Sequence, residues 1–397
     1  MDVEESPGVR PLRYGIAGIG VGAGNLLEAV RQNPRVQIVA AADVRSEPLE
    51  RFGSEFGVRT FTSVEEMCRY DEVDVIWVAT PNHLHAEHVV AAAEQEKHVI
   101  VSKPMALTLI ECQQMVDAAD KYGVQLLAGH SQGMAPAVLA VARTVLSGEL
   151  GALGMINSWH HSDWMYRPRE PRELDQKWGG GVVFRQSPHH IDIIRLIGGG
   201  ALRSVRATTL DLQPGRRGTG AFSAWFTFAN GVPATLVYSG YGHFDTSELT
   251  SVERIPKGFA RAVTAEQELQ LKEARRYNVG ETLGREAARE GHSLFGLTIV
   301  SCERGDLRQS GQGYFVYQDG GRREVAVPTQ RRGDAEFDEM FDAVVHGKPI
   351  LHDGRWGMAT QEALLGIIES ASEQREVQLH HQTSVAVQDL PAPRADD

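Results

Sequence analysis

The sequence lacks the features that mark several protein classes. No apolar run approaches the roughly 18 residues of a transmembrane helix, and the polar stretch Met1–Arg10 lacks the basic and apolar regions of a signal peptide. Only 3 cysteines occur, far apart and in no zinc or redox spacing. The 40 basic and 52 acidic residues give a net charge of −12, and no Lys/Arg run offsets it. We therefore expect a cytoplasmic protein with free thiols that binds neither nucleic acid nor a membrane.

Length and patterning indicate two main domains. At roughly 150 residues per domain, 397 residues correspond to two or three domains, and an apolar fraction of 42% provides a substantial core. Over residues 12–130 short apolar strands alternate with helices, which predicts a doubly wound parallel sheet. Over residues 131–379, longer strands with period-two alternation, such as Ala221–Phe228, predict an α+β domain with an antiparallel or mixed sheet. Three segments are expected outside the sheets: a flexible lead-in over 1–11, a charged, helix-prone insertion over 260–291 and a flexible tail over 380–397.

A glycine-rich loop directly follows the first predicted strand and opens a helix. Its glycines permit a tight turn and a close approach of a pyrophosphate, and the helix N-terminus supplies N–H donors. The expected cofactor contacts in the loop are Gly18, Gly20, Gly22 and Ala23. Asp43 ends the second predicted strand, where a carboxylate can bind ribose hydroxyls. The combination predicts a dinucleotide site, whereas the loop alone could be a plain glycine turn.

Asp43 also bears on the choice of cofactor. Its carboxylate would repel a 2′-phosphate, which favours NAD over NADP. Arg45, two residues further on, would reverse this preference by turning inward; alternatively, it is a solvated surface charge.

Two further segments resemble a known family. The sequences ATPNHLH over residues 79–85 and VIVSKP over 99–104 are similar to the P-N-x-x-H and E-K-P motifs of the Gfo/Idh/MocA oxidoreductase family, and the resemblance extends from residue 12 to about 375. It implies a Rossmann domain followed by an α/β domain whose open, mostly antiparallel sheet often serves in oligomer contacts. We therefore expect a homodimer or homotetramer. The expected cofactor contacts in these segments are Thr80, Pro81, Asn82, His85 and Pro104.

The resemblance also implies catalytic residues. In the family the lysine of E-K-P touches the reacting hydroxyl or carbonyl, and Lys103 matches it, although Ser102 replaces the glutamate. Lys103 also follows a parallel strand, where ligands of open α/β sheets bind. His83 and His85 have another reading, as caps of the helix that starts near Ala86.

A second signature runs from Gly179 to Asp192 and is similar to the family's G-G-G, D-x-x-x-H and I-D motifs. The histidine of D-x-x-x-H usually transfers the proton, and His189 matches it. Arg185 stands where the family commonly has aspartate. If this segment is helical, Arg185 and His189 share one face, and the arginine would bind a substrate carboxylate.

Aromatic, histidine and arginine residues over 159–169 suit a flat, anionic ring. The expected substrate contacts there are His160, Tyr166 and Arg167, with exterior ion pairs as the alternative for the arginines. These stretches most resemble the branch that oxidises carboxylated aromatic cis-dihydrodiols, such as those of phthalate or chlorobenzoate.

The sequence is therefore interpreted as an NAD-dependent dehydrogenase that converts a carboxylated aromatic cis-dihydrodiol to a catechol. A sugar, inositol or glycoside dehydrogenase is the enzymatic alternative, and a non-catalytic dinucleotide sensor is the second. No metal is expected, because the histidines show no ligand spacing with a carboxylate in register.

Overall fold

The computed structural model describes residues 10–24, 27–129, 132–213, 218–250, 266, 295–331 and 333–391, and the structural statements below concern these residues. Apart from Glu266, the insertion predicted over 260–291 lies outside them, as do residues 1–9 of the lead-in.

The first domain alternates strands and helices. Its strands are β1 (Leu12–Ala17), β2 (Val36–Ala42), β3 (Arg59–Phe61), β4 (Val75–Val78), β5 (His98–Ser102) and β6 (Leu126–Gly129). Its helices are α1 (Val21–Gly24), α2 (Leu27–Gln32), α3 (Ser46–Phe56), α4 (Val64–Cys68), α5 (His85–Glu94) and α6 (Leu109–Tyr122). The strands form one parallel sheet in the order β3-β2-β1-β4-β5-β6, which confirms the predicted doubly wound fold. The order reverses between β1 and β4, where such sheets bind ligands beyond the carboxyl ends of the strands.

The second domain contains the nine-stranded sheet. Its strands are β7 (Leu153–His161), β8 (Leu202–Leu210), β9 (Ala221–Phe228), β10 (Pro233–Ser239), β11 (Leu297–Cys302), β12 (Gly305–Gln309), β13 (Gly313–Gln318), β14 (Gly321–Ala326) and β15 (Val377–Gln378). The remaining helices are α7 (Pro136–Leu146), α8 (Pro171–Leu174), α9 (Gly181–Gly198), α10 (Asp334–His346) and α11 (Gly354–Glu373). Short 3₁₀ turns span Asn82–Leu84, Trp164–Tyr166, Gln176–Trp178, Thr246–Leu249 and Val387–Asp389.

This second sheet is open and mostly antiparallel, as expected. Its strand order is β14-β13-β12-β11-β7-β10-β9-β8-β15, and only β7 and β10 pair in parallel. Along β9, Phe222, Ala224 and Phe226 are buried whereas Ser223 and Trp225 are exposed, because helices α9 and α11 cover one face only. None of the helices in the described part of the chain has the length and apolarity needed to cross a membrane.

The predicted boundary between the domains needs one correction. Helix α10 was assigned to the second domain over 131–379, but it packs on the first sheet. The Phe337 ring meets Tyr14 edge-on at 5.4 Å and Trp77 at 5.8 Å between centroids. Helix α11 then contacts α6 and β6 on one side and α9 and β8 on the other. The two domains are therefore joined by these two C-terminal helices as well as by the chain connection after β6.

The flexible tail predicted from residue 380 is wrong for residues 380–391. Val385 and Leu390 are buried in the core of the second domain, and the Val385 N–H donates to the Gly199 carbonyl at 3.0 Å. The guanidinium of the buried Arg195 donates to the Thr383 hydroxyl at 2.9 Å. Polar composition suggested a tail, but two apolar anchors and a buried arginine hold it.

Candidate active site

The loop after β1 has the backbone shape of a dinucleotide cradle. Gly18 has φ +87°, and a Cβ there would lie 2.9 Å from the Ala79 carbonyl oxygen, so both conformation and packing require glycine. At Gly20, by contrast, a Cβ would meet no described atom within 4 Å. The described residues thus leave open space beside Gly20, which fits a pyrophosphate that approaches the backbone at the start of α1. Ala23 is buried within α1.

Asp43 lies at the end of β2, as predicted, but Arg45 has turned inward onto it. One carboxylate oxygen of Asp43 accepts the Arg45 N–H at 3.0 Å and its Nε at 2.9 Å. The other accepts the Ile19 N–H at 3.0 Å and Arg45 Nη2 at 2.9 Å. Burial alone would raise the pKa of Asp43, but the hydrogen bonds from Arg45 and Ile19 outweigh burial and lower it. Of the two readings of Arg45, the structure supports the inward one.

The predicted cofactor residues after β4 and β5 are joined by a buried histidine. His85 is 1% exposed, and its ring nitrogens lie 2.9 Å from the Thr80 carbonyl oxygen and 3.1 Å from that of Pro104. Burial lowers the pKa of His85 to about 4, so the ring is neutral at physiological pH. His85 therefore holds together the two loops that were predicted to contact the cofactor.

Asn82, next to Pro81, reaches across to the second domain. Its Nδ2 lies 3.4 Å from the Gly179 carbonyl oxygen, and a Cβ at Gly179 would come within 2.6 Å of the same nitrogen. This glycine begins the second signature of the sequence. The contact therefore aligns the loop after β4 with the start of α9.

Lys103 and Arg185, predicted from separate motifs, meet in the cleft between the domains. Lys103 Nζ donates to the backbone carbonyl of Arg185 at 2.7 Å. Burial lowers the pKa of Arg185, while Glu173 and Glu170 oppose that shift. In the described part of the chain its buried Nε has no hydrogen-bond partner. Arg185 thus has an unsatisfied buried donor on its side chain, while its backbone carbonyl holds the lysine.

His189 belongs to α9, so the predicted helical spacing of four from Arg185 is present. Its ring lies 4.8 Å from that of Phe295 between centroids. Phe295 also contacts His160 at 4.6 Å and His190 at 5.0 Å, and Tyr238 lies 5.0 Å from His160. Three histidines and two aromatic rings thus form one wall. Burial lowers the pKa of His190 to about 4, which keeps this neighbour of His189 neutral.

Within residues 159–169, Tyr166 packs against other aromatic rings and Arg167 forms an ion pair. Tyr166 packs against Tyr241 and His243, with ring centroids 6.4 and 6.3 Å apart. Arg167 pairs with Asp163 at 2.6 Å, the ion-pair alternative considered for it. Its part in substrate binding remains a prediction.

Three residues of this region were not among the expected site residues. Arg169 and Trp164 lie within residues 159–169, but nothing in the sequence separates Arg169 from its paired neighbour Arg167. Phe295 lies far from the motifs along the chain and reaches His189 through the pairing of β11 with β7. A contact between such distant residues requires the sheet register, which local patterns do not give.

Comparison with protein families agrees with both domains. Residues 12–130 match the model described as an oxidoreductase family with an NAD-binding Rossmann fold, and residues 138–252 match the GFO/IDH/MocA C-terminal domain. The 1-carboxy-3-chloro-3,4-dihydroxycyclohexa-1,5-diene dehydrogenase of Comamonas testosteroni is 31% identical over 375 residues, covering 90% of this chain and 94% of that protein. Levoglucosan dehydrogenase of Pseudarthrobacter phenanthrenivorans is 29% identical over 46% of this chain and 47% of that protein.

Solved structures show the same architecture. A candidate dehydrogenase from Bordetella bronchiseptica RB50 has a TM-score of 0.84 at 37% identity, covering 93% of this chain and 100% of that one. The WlbA dehydrogenase of Bordetella pertussis, solved with NADH and UDP-GlcNAcA, has a TM-score of 0.68 at 19% identity, covering 94% of this chain and 99% of that one. This second likeness concerns the fold.

Proposed function

Because the chain belongs to the Gfo/Idh/MocA oxidoreductase family and binds NAD, we propose that it oxidises a carboxylated aromatic cis-dihydrodiol to the corresponding catechol. The Comamonas testosteroni relative supports this proposal, since its name describes a carboxylated ring diol and the match spans nearly both chains. The observation that carries it is the Arg185 guanidinium, whose buried Nε has no hydrogen-bond partner in the described part of the chain, while the backbone carbonyl of the same residue accepts from Lys103. A neutral sugar would leave that donor unsatisfied, whereas a ring carboxylate would pair with it.

The proposed cofactor residues divide by position. Gly18, Gly20, Gly22 and Ala23 would hold the pyrophosphate and Asp43 the ribose, with Thr80, Pro81, Asn82 and Pro104 lining the cleft and His85 bracing it. NAD⁺, when bound, supplies the acceptor for the hydride that leaves the carbinol carbon.

Lys103 would deprotonate the reacting hydroxyl. In its neutral form it accepts that proton on its lone pair while an N–H still donates to the Arg185 carbonyl. His189 would contact the diol from α9 and take the proton on from Lys103. The ring ketone then tautomerises to the catechol: the remaining sp3 carbinol carbon loses its proton and the carbonyl oxygen gains one, and the aromaticity gained drives the reaction forward.

The carboxylate would set the position of the ring. Arg185 anchors it at the N-terminal half of α9, four residues before His189. Tyr166, Arg167 and His160 would line the ring binding site, with Phe295 and Tyr238 forming the aromatic wall beside His160. A planar substrate suits this wall better than a puckered sugar, because flat rings stack on aromatic faces.

A turnover screen tests the proposal. Purified protein and NAD⁺ are mixed with cis-dihydrodiols of benzoate and phthalate, with inositols and with sugars, and NADH formation is followed by absorbance. We expect turnover with a carboxylated dihydrodiol and release of the catechol. Faster turnover of a sugar or inositol would support the polyol activity instead, and turnover of none of them, with NADH still bound, would support a sensor.

We also propose that the protein forms a homodimer or homotetramer through the uncovered face of the second sheet. Met155 and Trp159 on β7 and Trp225 on β9 are between 40% and 51% exposed on that face, and exposed aromatic patches of this kind mark interaction surfaces. Light scattering would give the mass in solution, and Trp225→Glu should lower it to that of the monomer.

A further inference from the structure

The segment after β7 carries a second buried arginine near Arg185. The guanidinium carbon of Arg169 lies 3.9 Å from the ring centroid of Trp164, and the Arg169 side chain is 15% exposed. Stacking occupies the face of the guanidinium and leaves its in-plane N–H donors for other partners. Trp164, itself 4% exposed, therefore fixes the position of the group without satisfying its hydrogen bonds.

The described residues leave part of this donor capacity unused. The Glu173 carboxylate is 3.8 Å from Arg169 Nη1, which is an ion-pair distance but too long for a hydrogen bond. Within the described part of the chain, the buried Nε of Arg169 has no hydrogen-bond partner, and the same holds for Arg185. Arg167, by comparison, already pairs with Asp163 at 2.6 Å. Arg169 and Arg185 thus each have a buried N–H donor without a described partner, and a bound anion would accept hydrogen bonds from both.

The electrostatics of the two arginines are coupled. Burial and the positive charges of Arg167 and Arg185 lower the pKa of Arg169 to about 10, against the opposing effect of Glu173. Glu173 also opposes the lowering of the Arg185 pKa. Arg169 thus remains charged at neutral pH and is repelled by Arg185, and an anion placed between the two groups would relieve the repulsion.

We propose that Arg169 and Arg185 together form one carboxylate subsite, in which two guanidinium groups bind the carboxylate of the substrate ring. This inference rests on the proposed function and specifies how its substrate is selected. Arg185 enters from α9 and Arg169 enters from the segment after β7, so the bound anion joins the two elements. The site therefore selects aromatic acids over neutral ring diols of the same shape.

Ligand binding tests this subsite without turnover. Benzoate and its neutral analogue benzamide are titrated by calorimetry into the NADH-bound enzyme. The variants are Arg169→Met, Arg185→Met and the double substitution. Arg172→Met is the matched control, because Arg172 is an exposed arginine of the same segment and its loss reports only the general effect of charge.

The expected results separate this inference from the proposed function. Wild type and Arg172→Met bind benzoate more tightly than benzamide. Each active-site substitution raises the Kd for benzoate at least about tenfold and leaves benzamide unchanged. In the double variant the Kd for benzoate rises by less than the product of the two single increases, because both arginines bind the same ligand.

Benzoate binding by Arg169→Met at the wild-type level, with Arg185→Met weakened, would overturn the two-arginine subsite and leave the proposed function standing. If Arg169→Met does not fold, Arg169→Gln decides, since an uncharged glutamine there with wild-type benzoate affinity would equally overturn it. Wild type that prefers benzamide or shows no preference would instead contradict the carboxylate specificity of the proposed function itself.

Discussion

Lys103 and Arg185 come from different domains and meet through one hydrogen bond. Both were predictable from the sequence, since each lies in a motif whose neighbours mark it. The hydrogen bond between them was not predictable, because it joins a side chain to a backbone carbonyl 82 positions away. Arg169 was not predictable either, since only the stacking on Trp164 and the burial of its Nε distinguish it from Arg167.

Removal of Lys103 tests its proposed role as the base. We expect Lys103→Ala to lower kcat by about 10²–10⁴, the usual range for general acid–base catalysis, with little change in NADH affinity. Steady-state kinetics and a cofactor titration measure the two effects. Lys177→Ala, at an exposed lysine of the second domain, should behave like wild type. If Lys103→Ala keeps about a tenth of the wild-type kcat, the lysine has no part in the chemistry.

The contact of Arg45 with Asp43 predicts how removal of the arginine changes the affinities for NADH and NADPH. The Arg45 guanidinium and the backbone N–H groups of Ile19 and Arg45 together bind both carboxylate oxygens of Asp43. The positive charge of Arg45 would favour a 2′-phosphate on the cofactor. Arg45→Ala should therefore tighten NADH binding and weaken NADPH binding by about tenfold, because a hydrogen bond to a charged group contributes roughly 1.5–3 kcal/mol. Fluorescence titration of the reduced cofactors measures both. Unchanged NADPH affinity would show that Arg45 remains on Asp43.

At the scale of elements, the strands of the first domain were predictable because their apolar runs are buried on both faces. The second strand was predicted to end at Asp43, and β2 spans Val36–Ala42 directly before it. Strand β7 was missed: its histidines and Trp159 resembled a ligand-binding strip, whereas the strand pairs with both β10 and β11. Which elements pair across such separations is decided by tertiary packing, and a local pattern does not contain that information.

The turn between β1 and α1 offers a matched pair of substitutions. Gly18→Ala meets the Ala79 backbone at 2.9 Å and forces a side chain into φ +87°. It should lower the free energy of unfolding by roughly 1–3 kcal/mol. Gly20→Ala meets open space, so it should leave stability unchanged and weaken NADH binding, since the methyl group enters the proposed pyrophosphate site. Urea unfolding and NADH titration measure the two effects. Equal stability losses for both variants would contradict this account of the turn.

At the scale of the whole molecule, a buried charge cluster joins the domains. His352 is fully buried, and its ring nitrogens lie 3.4 Å from Asp192 on α9 and 3.8 Å from Glu339 on α10. Its carbonyl accepts the Ala128 N–H of β6 at 2.8 Å. Burial would lower the pKa of His352, but the two carboxylates raise it to about 10. The sequence analysis placed this helix in the second domain, whereas only the structure shows that it packs on the first.

This cluster predicts how stability depends on pH. His352 is protonated in the folded protein and has its ordinary pKa of about 6.5 when unfolded. Its contribution is therefore complete below about pH 6.5, declines as the pH rises and is gone above about pH 10. His352→Gln should cost roughly 3–5 kcal/mol near pH 6, because it leaves buried carboxylates without a cation, and progressively less towards pH 10. Urea unfolding of both proteins across this range measures the difference. A difference independent of pH would contradict the ion-pair assignment.

The most direct test of the proposed function compares two substrates in one variant. Arg185→Met keeps much of the bulk of the side chain and removes its charge. If Arg185 binds the ring carboxylate, KM for a carboxylated cis-dihydrodiol should rise at least about tenfold, since 1.4 kcal/mol corresponds to one decade. The kinetics of a dihydrodiol without the carboxylate should hardly change. Equal losses for the two substrates, or no loss for either, would contradict the account.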